Sequence, residues 1–476
     1  MKDRKAATRR RWLEVLEEHR LDWERPGSEH YWSPRLETAP RHELRHIQNT
    51  KLAAAVPFLY ENSPFYRRRF ERLGMTPDDI RSAEDLAKWP VVDKREMVED
   101  ALQHPPYGTY TAHDDALWRE RGWMIFGTSG TTGAPRVFRY SQIDRAQWEW
   151  ANARALYSMG IKRGDSAMLI SGFGPHVFIW GVAVALARMG IPMIPGGGLD
   201  ARMRATFVDR YKPTVIACTP SYALHLARTM QSMNLDPAAS SVKTILVGGE
   251  PAMGIAATRR RLEELWGARL VEFYGCTEAA PHCGGYSCSA AVAPDGSVAS
   301  HLMEDIGIWE VVDAENRAPV GKGGRGLTVT TNLNSESSPQ LRFLVGDYTV
   351  LDEGPCACGR THVRALGAFV GRADDIVNVR GVKLYPAQIE EGVRAVPGIG
   401  DEYEIVLATD SGGLDHMTLR VEHPDYSGDS ANIGERVAAE VRTRCEIRVG
   451  VEVLPPGTLP KTEFKAKRVR ETRARS

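Results

Sequence analysis

Up to about Gly122 the apolar positions recur at helical spacing. Trp12, Val15, Leu16 and His19 make one stripe, and Leu52, Val56, Leu59 and Tyr60 make another that Asn62-Ser63-Pro64 ends. From Trp123 the texture changes to short apolar runs bounded by Gly, Pro or polar turns: Ala167-Met168-Leu169-Ile170, Pro192-Met193-Ile194-Pro195, Thr214-Val215-Ile216-Ala217-Cys218 and Thr244-Ile245-Leu246-Val247. Helical stretches such as Trp180 to Arg188 separate them. This alternation predicts a largely parallel sheet covered on both faces, with ligands beyond the carboxyl ends of its strands. The segments there are Ser171 to Val177, Thr219 to Tyr222, Gly248 to Pro251 and Tyr274 to Glu278. After Gly371-Arg372-Ala373-Asp374-Asp375 the pattern predicts a strand (Ile376 to Val379), a helix (Ala387 to Val396), strands at Glu404 to Leu407 and Thr418 to Val421, a helix (Asn432 to Cys445) and a strand (Val449 to Leu454). The fold class is therefore α/β: a large N-terminal domain with mixed or parallel sheets over 1–371, mainly helical over 1–122, and a small mobile α+β domain over 372–476.

Length and charge narrow the function. A chain of 476 residues exceeds the usual size of one hydrophobic core. Lys plus Arg and Asp plus Glu are both 61, which removes a whole-chain electrostatic case for nucleic acid or membrane as the main partner. A small-molecule substrate is the expectation. The N-terminus has no apolar core of signal-peptide length and the chain no run of about 18 apolar residues, so the protein is read as cytoplasmic. Seven cysteines, five of them between Cys276 and Cys358, suit a reducing compartment and a metal site better than a disulfide framework.

The stretch Phe126-Gly127-Thr128-Ser129-Gly130-Thr131-Thr132-Gly133-Ala134-Pro135-Arg136 interleaves glycines with hydroxyl side chains. Its backbone N–H groups can converge on an anion while the hydroxyls add donors. The Gly-Lys-Ser/Thr triplet of nucleotide hydrolases is absent from it.

Ser129-Gly130-Thr131-Thr132-Gly133 resembles the phosphate loop of the adenylate-forming superfamily. The ordered motifs Lys212 to Leu224, Gly249-Glu250-Pro251, Phe273-Tyr274-Gly275-Cys276-Thr277-Glu278, Gly346-Asp347, Gly371 to Asp375 and Arg380-Gly381-Val382 resemble phenylacetate-CoA ligases, from about residue 40 to about residue 470. The resemblance implies ATP-dependent activation of a carboxylic acid as an acyl adenylate, followed by transfer to coenzyme A. Joining a carboxylate to a phosphate brings two anions together, so charge must be neutralised and the reactants held in line. On this resemblance Glu278 holds Mg2+, a hard carboxylate for a hard cation. Ser129, Gly130, Thr131, Thr132 and Gly133 cradle phosphates. Tyr274, with Gly275 and Thr277 beside it, offers a face to adenine, and Gly249, Glu250 and Pro251 line its other side. Asp347 accepts hydrogen bonds from the ribose hydroxyls, Arg372 contacts ribose and phosphate, and Asp374 is the hinge, with Asp375 as its rival. Lys465 delivers the catalytic ammonium, with Lys461 and Lys467 as rivals, and joins Glu278 and Thr131 in the catalytic set. Two departures stand out: Phe464 replaces a usual glycine, and Ala134 replaces a lysine whose charge Arg136 restores.

Two further sets of residues follow from the resemblance. Relatives place one Cys, one His and a Cys-x-Cys pair where this chain has Cys288, His301, Cys356 and Cys358, with Cys283 as a rival; three thiolates and an imidazole suit a closed, structural zinc. Phe173, Gly174, His176, Val177, Tyr222, Gly248, Tyr274, Cys276, Ala279 and Ala280 line the acyl pocket, whose aromatic and small side chains suit a flat ring, with His176 and His282 available to a polar substituent. The substrate is then a small aromatic carboxylic acid and the acceptor coenzyme A. An amine or a carrier protein is the alternative acceptor, and a non-catalytic nucleotide-binding scaffold the alternative of another class. The reading leaves room for a homodimer.

Overall fold

Six helices precede the first strand: α1 (Lys2–Glu18), α2 (Pro34–Glu37), α3 (Arg41–Asn62), α4 (Pro64–Arg72), α5 (Lys94–Gln103) and α6 (Asp115–Arg121). The computed structural model describes residues 2–128, 136–369, 371, 377–379, 382–409, 415–445, 447–460 and 468–473, without the side chains at 2, 280–283, 378, 382 and 383. The expected stripes are the buried ones. Trp12, Val15 and Leu16 pack on α3, where Trp12 stacks on Phe58 with ring centroids 5.1 Å apart. Asn62-Ser63-Pro64 ends α3 and starts α4, because Ser63 takes extended backbone, its hydroxyl accepts the Tyr66 N–H, and Pro64 needs no amide partner.

A hairpin follows, β1 (Gly122–Gly127) against β2 (Val137–Ser141). Next come α7 (Gln142–Ser158), β3 (Ala167–Leu169), α8 (Val177–Met189), β4 (Met193–Pro195), α9 (Ala201–Tyr211), β5 (Val215–Cys218), α10 (Pro220–Ser232), β6 (Thr244–Val247), α11 (Ala256–Trp266) and β7 (Arg269–Cys276). The parallel order β4-β3-β5-β6-β7 bears out the alternation. Strands β3, β5 and β6 are buried throughout, as doubly covered strands must be.

The same sheet continues past β7 with the opposite sense. Strands β8 (Ala280–Val292), β9 (Val298–Leu302), β10 (Gly307–Val312), β11 (Arg325–Asn332), β12 (Phe343–Asp352) and β13 (Arg364–Leu366) extend it in the order β7-β8-β9-β13-β12-β11-β10, all antiparallel. The largely parallel sheet is therefore corrected to a mixed one. Several antiparallel strands bury small and polar residues in place of an apolar run: β8 holds Gly284, Gly285, Ser287 and Ser289, and β11 buries Thr328, Thr330 and Thr331. Two expected loops also change. Tyr274 to Cys276 end β7, leaving only the turn after it, and Pro220 to Tyr222 are the first turn of α10, capped by Thr219.

The C-terminal part comprises β14 (Val377–Val379), β15 (Val382–Leu384), α12 (Pro386–Arg394), β16 (Tyr403–Thr409), β17 (Asp415–Glu422), α13 (Ser430–Cys445), β18 (Gly450–Leu454) and β19 (Val469–Glu471). β15 and β19 are additions to the expected elements. A four-stranded sheet runs β18-β17-β16-β19, and its apolar cluster draws on no residue before Val377. Among the described residues no helix is long and apolar enough to cross a membrane.

Candidate active site

The β1–β2 hairpin positions the glycine-rich stretch. Its neck closes where Thr128 N–H donates to Arg136 O at 3.0 Å and Arg136 N–H to Thr128 Oγ1 at 3.3 Å. The tip, with Ser129, Gly130, Thr131, Thr132, Gly133 and Ala134, lies outside the described residues. The neck meets two of the four expected segments. Gly127 N–H donates to Pro175 O at 2.9 Å, and Arg136 Nη2 donates to Glu278 Oε1 at 2.6 Å. Tyr140 Oη donates to Thr277 O and pins the turn after β7. The Arg136 and Glu278 side chains are only 11% and 8% exposed, so a shielded, charge-assisted bond joins them. Arg136 Nε is buried and has no partner among the described residues, which leaves a donor for an anion beside the loop.

Tyr274 stands where the parallel half of the sheet meets the antiparallel half. Its hydroxyl donates to Asp347 Oδ2 at 2.8 Å, and its ring stacks on Phe369 with centroids 3.4 Å apart and planes at 7°. Asp347 owes its position to a bulge. β12 pairs Tyr348 with Leu327 but Leu344 with Val329, so it carries extra residues, and Gly346 takes φ +86° to absorb them. Thr328 Oγ1 donates to the Asp347 carbonyl at 2.7 Å and holds the bulge.

Gly248 to Pro251 follow β6. A Cβ at Gly248 would lie 2.6 Å from Phe178 Cε2 and 3.0 Å from Phe273 O, so only glycine allows this approach. Glu250 accepts from Ser221 N–H at 3.2 Å and from Ser221 Oγ at 3.0 Å; its side chain braces the start of α10 and leaves the backbone of the segment as the surface on offer. Glu272 accepts from Met253 N–H at 2.9 Å and Ala252 N–H at 3.4 Å. Burial pushes its carboxyl up to about 7 against the opposing pull of those two amides.

Most of the residues expected to line an acyl pocket gather around the start of α8. Val177, Trp180, Tyr274, Cys276 and Ala279 share one apolar cluster, and Phe173 and Phe178 pack in the adjoining one with Phe273. Trp180 Nε1 donates to Gly174 O at 3.0 Å, and Phe173 meets the Trp180 ring edge-on at 5.1 Å. His176 caps α8 in a half-buried position, and burial lowers its pKa. Tyr222 is buried in a different cluster, with the Arg204 guanidinium 4.8 Å from its ring. The side chains of Ala280 and His282 lie outside the described residues.

Arg372, Asp374 and Lys465, with Asp375, Lys461, Phe464 and Lys467, lie outside the described residues. Their flanks are placed. Gly371 O accepts from Tyr348 N–H at 2.9 Å, next to Asp347, and Leu459 N–H donates to Glu422 Oε1 at 2.7 Å. Phe369, Phe178 and the Arg136–Glu278 bond were not foreseen as site features. None of them carries a periodic or motif signal; only the charge of Arg136 pointed toward the loop.

Cys288, His301, Cys356 and Cys358 offer ligand atoms that all lie within 4.8 Å of one another. His301 Nδ1 donates to His362 O at 2.9 Å, which leaves Nε2 facing Cys358 Sγ at 3.2 Å. That backbone partner is the usual orienting device of a metal-bound imidazole. Hydrogen bonding from His301 lowers the Cys356 thiol and hydrogen bonding from Cys288 lowers Cys358, while Cys288, the donor of that bond, is pushed up. The donor set fits tetrahedral zinc with no open position. The Cys283 side chain lies outside the described residues.

A family model described as AMP-binding enzyme matches residues 38–329, and one described as AMP-binding enzyme C-terminal domain matches residues 381–473. The phenylacetate-coenzyme A ligase of Thermus thermophilus is 32% identical over 91% of this chain and 97% of its own length. A crystal structure of 2-hydroxyisobutyryl-CoA ligase in the postadenylation state, in complex with R3-HIB-AMP, is 30% identical and superposes with a TM-score of 0.86 over 94% of this chain and 93% of that one. The same ligase with 2-HIB-AMP and CoA in the thioesterification state is 31% identical and gives 0.70 over 94% of each chain. The arrangement of this chain thus matches the postadenylation state more closely.

Proposed function

This chain belongs to the AMP-binding enzyme family, and from that membership we propose that it activates a carboxylic acid with ATP as an acyl adenylate and passes the acyl group to coenzyme A. The observation that carries the reading is the meeting of Arg136, Glu278, Tyr274 and Asp347 around the carboxyl end of β7, at the border between the sheet's two halves.

In this reading the Tyr274 ring and the backbone of Gly248 to Pro251 receive adenine, and Asp347 accepts from the ribose hydroxyls. Ser129 to Gly133 and the spare Nε of Arg136 receive phosphate oxygens. Glu278 would hold Mg2+, which supplies charge neutralisation between the phosphates. A carboxylate oxygen of the acid attacks the α-phosphorus, the bond to the β-phosphate oxygen breaks, and pyrophosphate leaves. Lys465 stabilises the charge on the α-phosphate. The coenzyme A thiolate then attacks the acyl carbonyl, the thioester forms and AMP leaves with the bonding pair. Arg372 and Asp374 belong to the junction of two domains, 1–371 and 372–476.

The acid we propose is a small aromatic one, since Phe173, Phe178, Trp180 and Tyr274 supply flat apolar walls. We place a structural zinc on Cys288, His301, Cys356 and Cys358, and the enzyme in the cytoplasm, where its nucleotide and coenzyme substrates are both present. The reaction is tested by mass spectrometry of products from ATP, Mg2+ and a panel of aryl acids. An aryl-CoA formed only when coenzyme A is supplied supports the reading, whereas an amide, or a free adenylate that coenzyme A does not consume, contradicts it.

A further inference from the structure

Where the C-terminal part meets α10 and α11, a single carboxylate lies between two arginines. Asp401 has a side chain 6% exposed and pairs with Arg228 of α10 and with Arg261 of α11, the latter through Nη2 at 2.6 Å. Arg261 Nη1 also donates to Ile399 O at 3.1 Å, and Thr258 Oγ1 to Glu390 Oε1 at 3.2 Å. The turn from Ile399 to Glu402 is gripped from its own side as well. Arg394 donates to Gly400 O and Asp401 O, while Arg468 pairs with Glu402 and donates to Asp401 O at 3.3 Å.

Arg468 is where the chain returns after the lysine-bearing stretch 461–467. The other end of that stretch is tied close by: Leu459 N–H donates to Glu422 Oε1, and Gly400 N–H to Glu422 O at 2.7 Å. Both feet of the lysine stretch therefore stand on the turn whose carboxylate docks against the large domain. The 2-hydroxyisobutyryl-CoA ligase structures differ in similarity to this chain according to reaction state, and this chain matches the postadenylation one. A contact made in one arrangement and broken in the other biases the equilibrium between them.

We propose that Asp401 is a positioning residue: clasped by Arg228 and Arg261, it holds the C-terminal domain in the arrangement that forms the adenylate, and it must release for thioester formation. The proposal rests on the two-step reaction above. A residue that only supports the fold would affect both steps alike. A pose-selecting one slows the first step without slowing the second, since on this proposal the second arrangement does not use the clasp.

The test compares wild type, Asp401→Asn and the double variant Arg228→Ala with Arg261→Ala, which removes the clasp from the opposite domain. Acid-dependent exchange of pyrophosphate into ATP should fall by about tenfold or more in both variants, while thioester formation from a supplied acyl adenylate and coenzyme A is undiminished or faster. Hydrogen–deuterium exchange, read without any substrate, should rise at residues 396–402 and along α11. Equal losses in both half-reactions, no loss in either, or unchanged amide protection would overturn the proposal. Should the wild type activate no acid, the functional reading fails, and the amide-protection comparison still decides the clasp.

Discussion

Arg136 and Glu278 form a shielded pair whose members answer to each other's charge before any nucleotide arrives. Replacing Arg136 by Ala removes a cation from the phosphate site and leaves a buried carboxylate without its partner. The expected result is a fall of about ten- to hundredfold in kcat/KM for ATP, together with a loss of stability on the order of 1–3 kcal/mol in denaturant unfolding. Glu278 and Asp347 could be singled out in the sequence because motif and chemistry point the same way, a hard carboxylate proposed for a cation and an acceptor-only group proposed for a diol. The pairing of Glu278 with Arg136 was not, since it joins residues far apart in the chain and depends on where the hairpin neck falls. Glu272 illustrates a second kind of hidden residue. Its folded pKa lies near 7, above its ordinary value of 4.5, so its contribution to stability is greatest below pH 4.5 and declines as pH rises through 7. Glu272→Gln abolishes that titration. Thermal melts of the two proteins should be most alike at pH 5, with the variant gaining on wild type by on the order of 1–3 kcal/mol at pH 8.

Among the elements, β7 matters most. It is parallel to β6 on one side and antiparallel to β8 on the other, and its last residues carry Tyr274 and Cys276 to the mouth of the site. The parallel strands β3, β4, β5 and β6 were readable from compact apolar runs, whereas β7 was not read and its end was expected as a loop. The antiparallel strands β8 to β13 were not readable, because several of them bury Thr, Ser and Gly whose polar groups the sheet and its neighbours satisfy. The cysteine and histidine cluster links β8 and β9 to the loop ahead of β13, and Tyr31 Oη donates to Cys358 O at 2.8 Å to bring the N-terminal segment into the same knot. Purified protein should contain about one zinc per chain by elemental analysis. Cys358→Ser should lose it and melt about 5 °C lower. Full metal-free stability in wild type would remove zinc from the account.

At the scale of the molecule, the C-terminal part has an apolar core of its own. The C-terminal cluster shares no residue with the clusters that line the nucleotide and acyl sites. The change of texture after Gly371 led to the expectation of a small C-terminal domain, and the order of the motifs pointed to the reaction. What the sequence could not disclose is how the parts dock, since the Asp401 clasp unites residues from α10, α11 and the turn before β16. The ends of the lysine stretch are tied to the same turn, through Arg468 to Glu402 and through Leu459 to Glu422, and on the proposal above the chemistry depends on pose. The most direct measurement is exchange of labelled pyrophosphate into ATP, in wild type and Lys465→Ala, across a panel of aromatic acids with Mg2+ present. The account predicts exchange that requires both an acid and Mg2+ and that disappears in the variant while the fold survives. Exchange absent with every acid, or undiminished without the lysine, would contradict it.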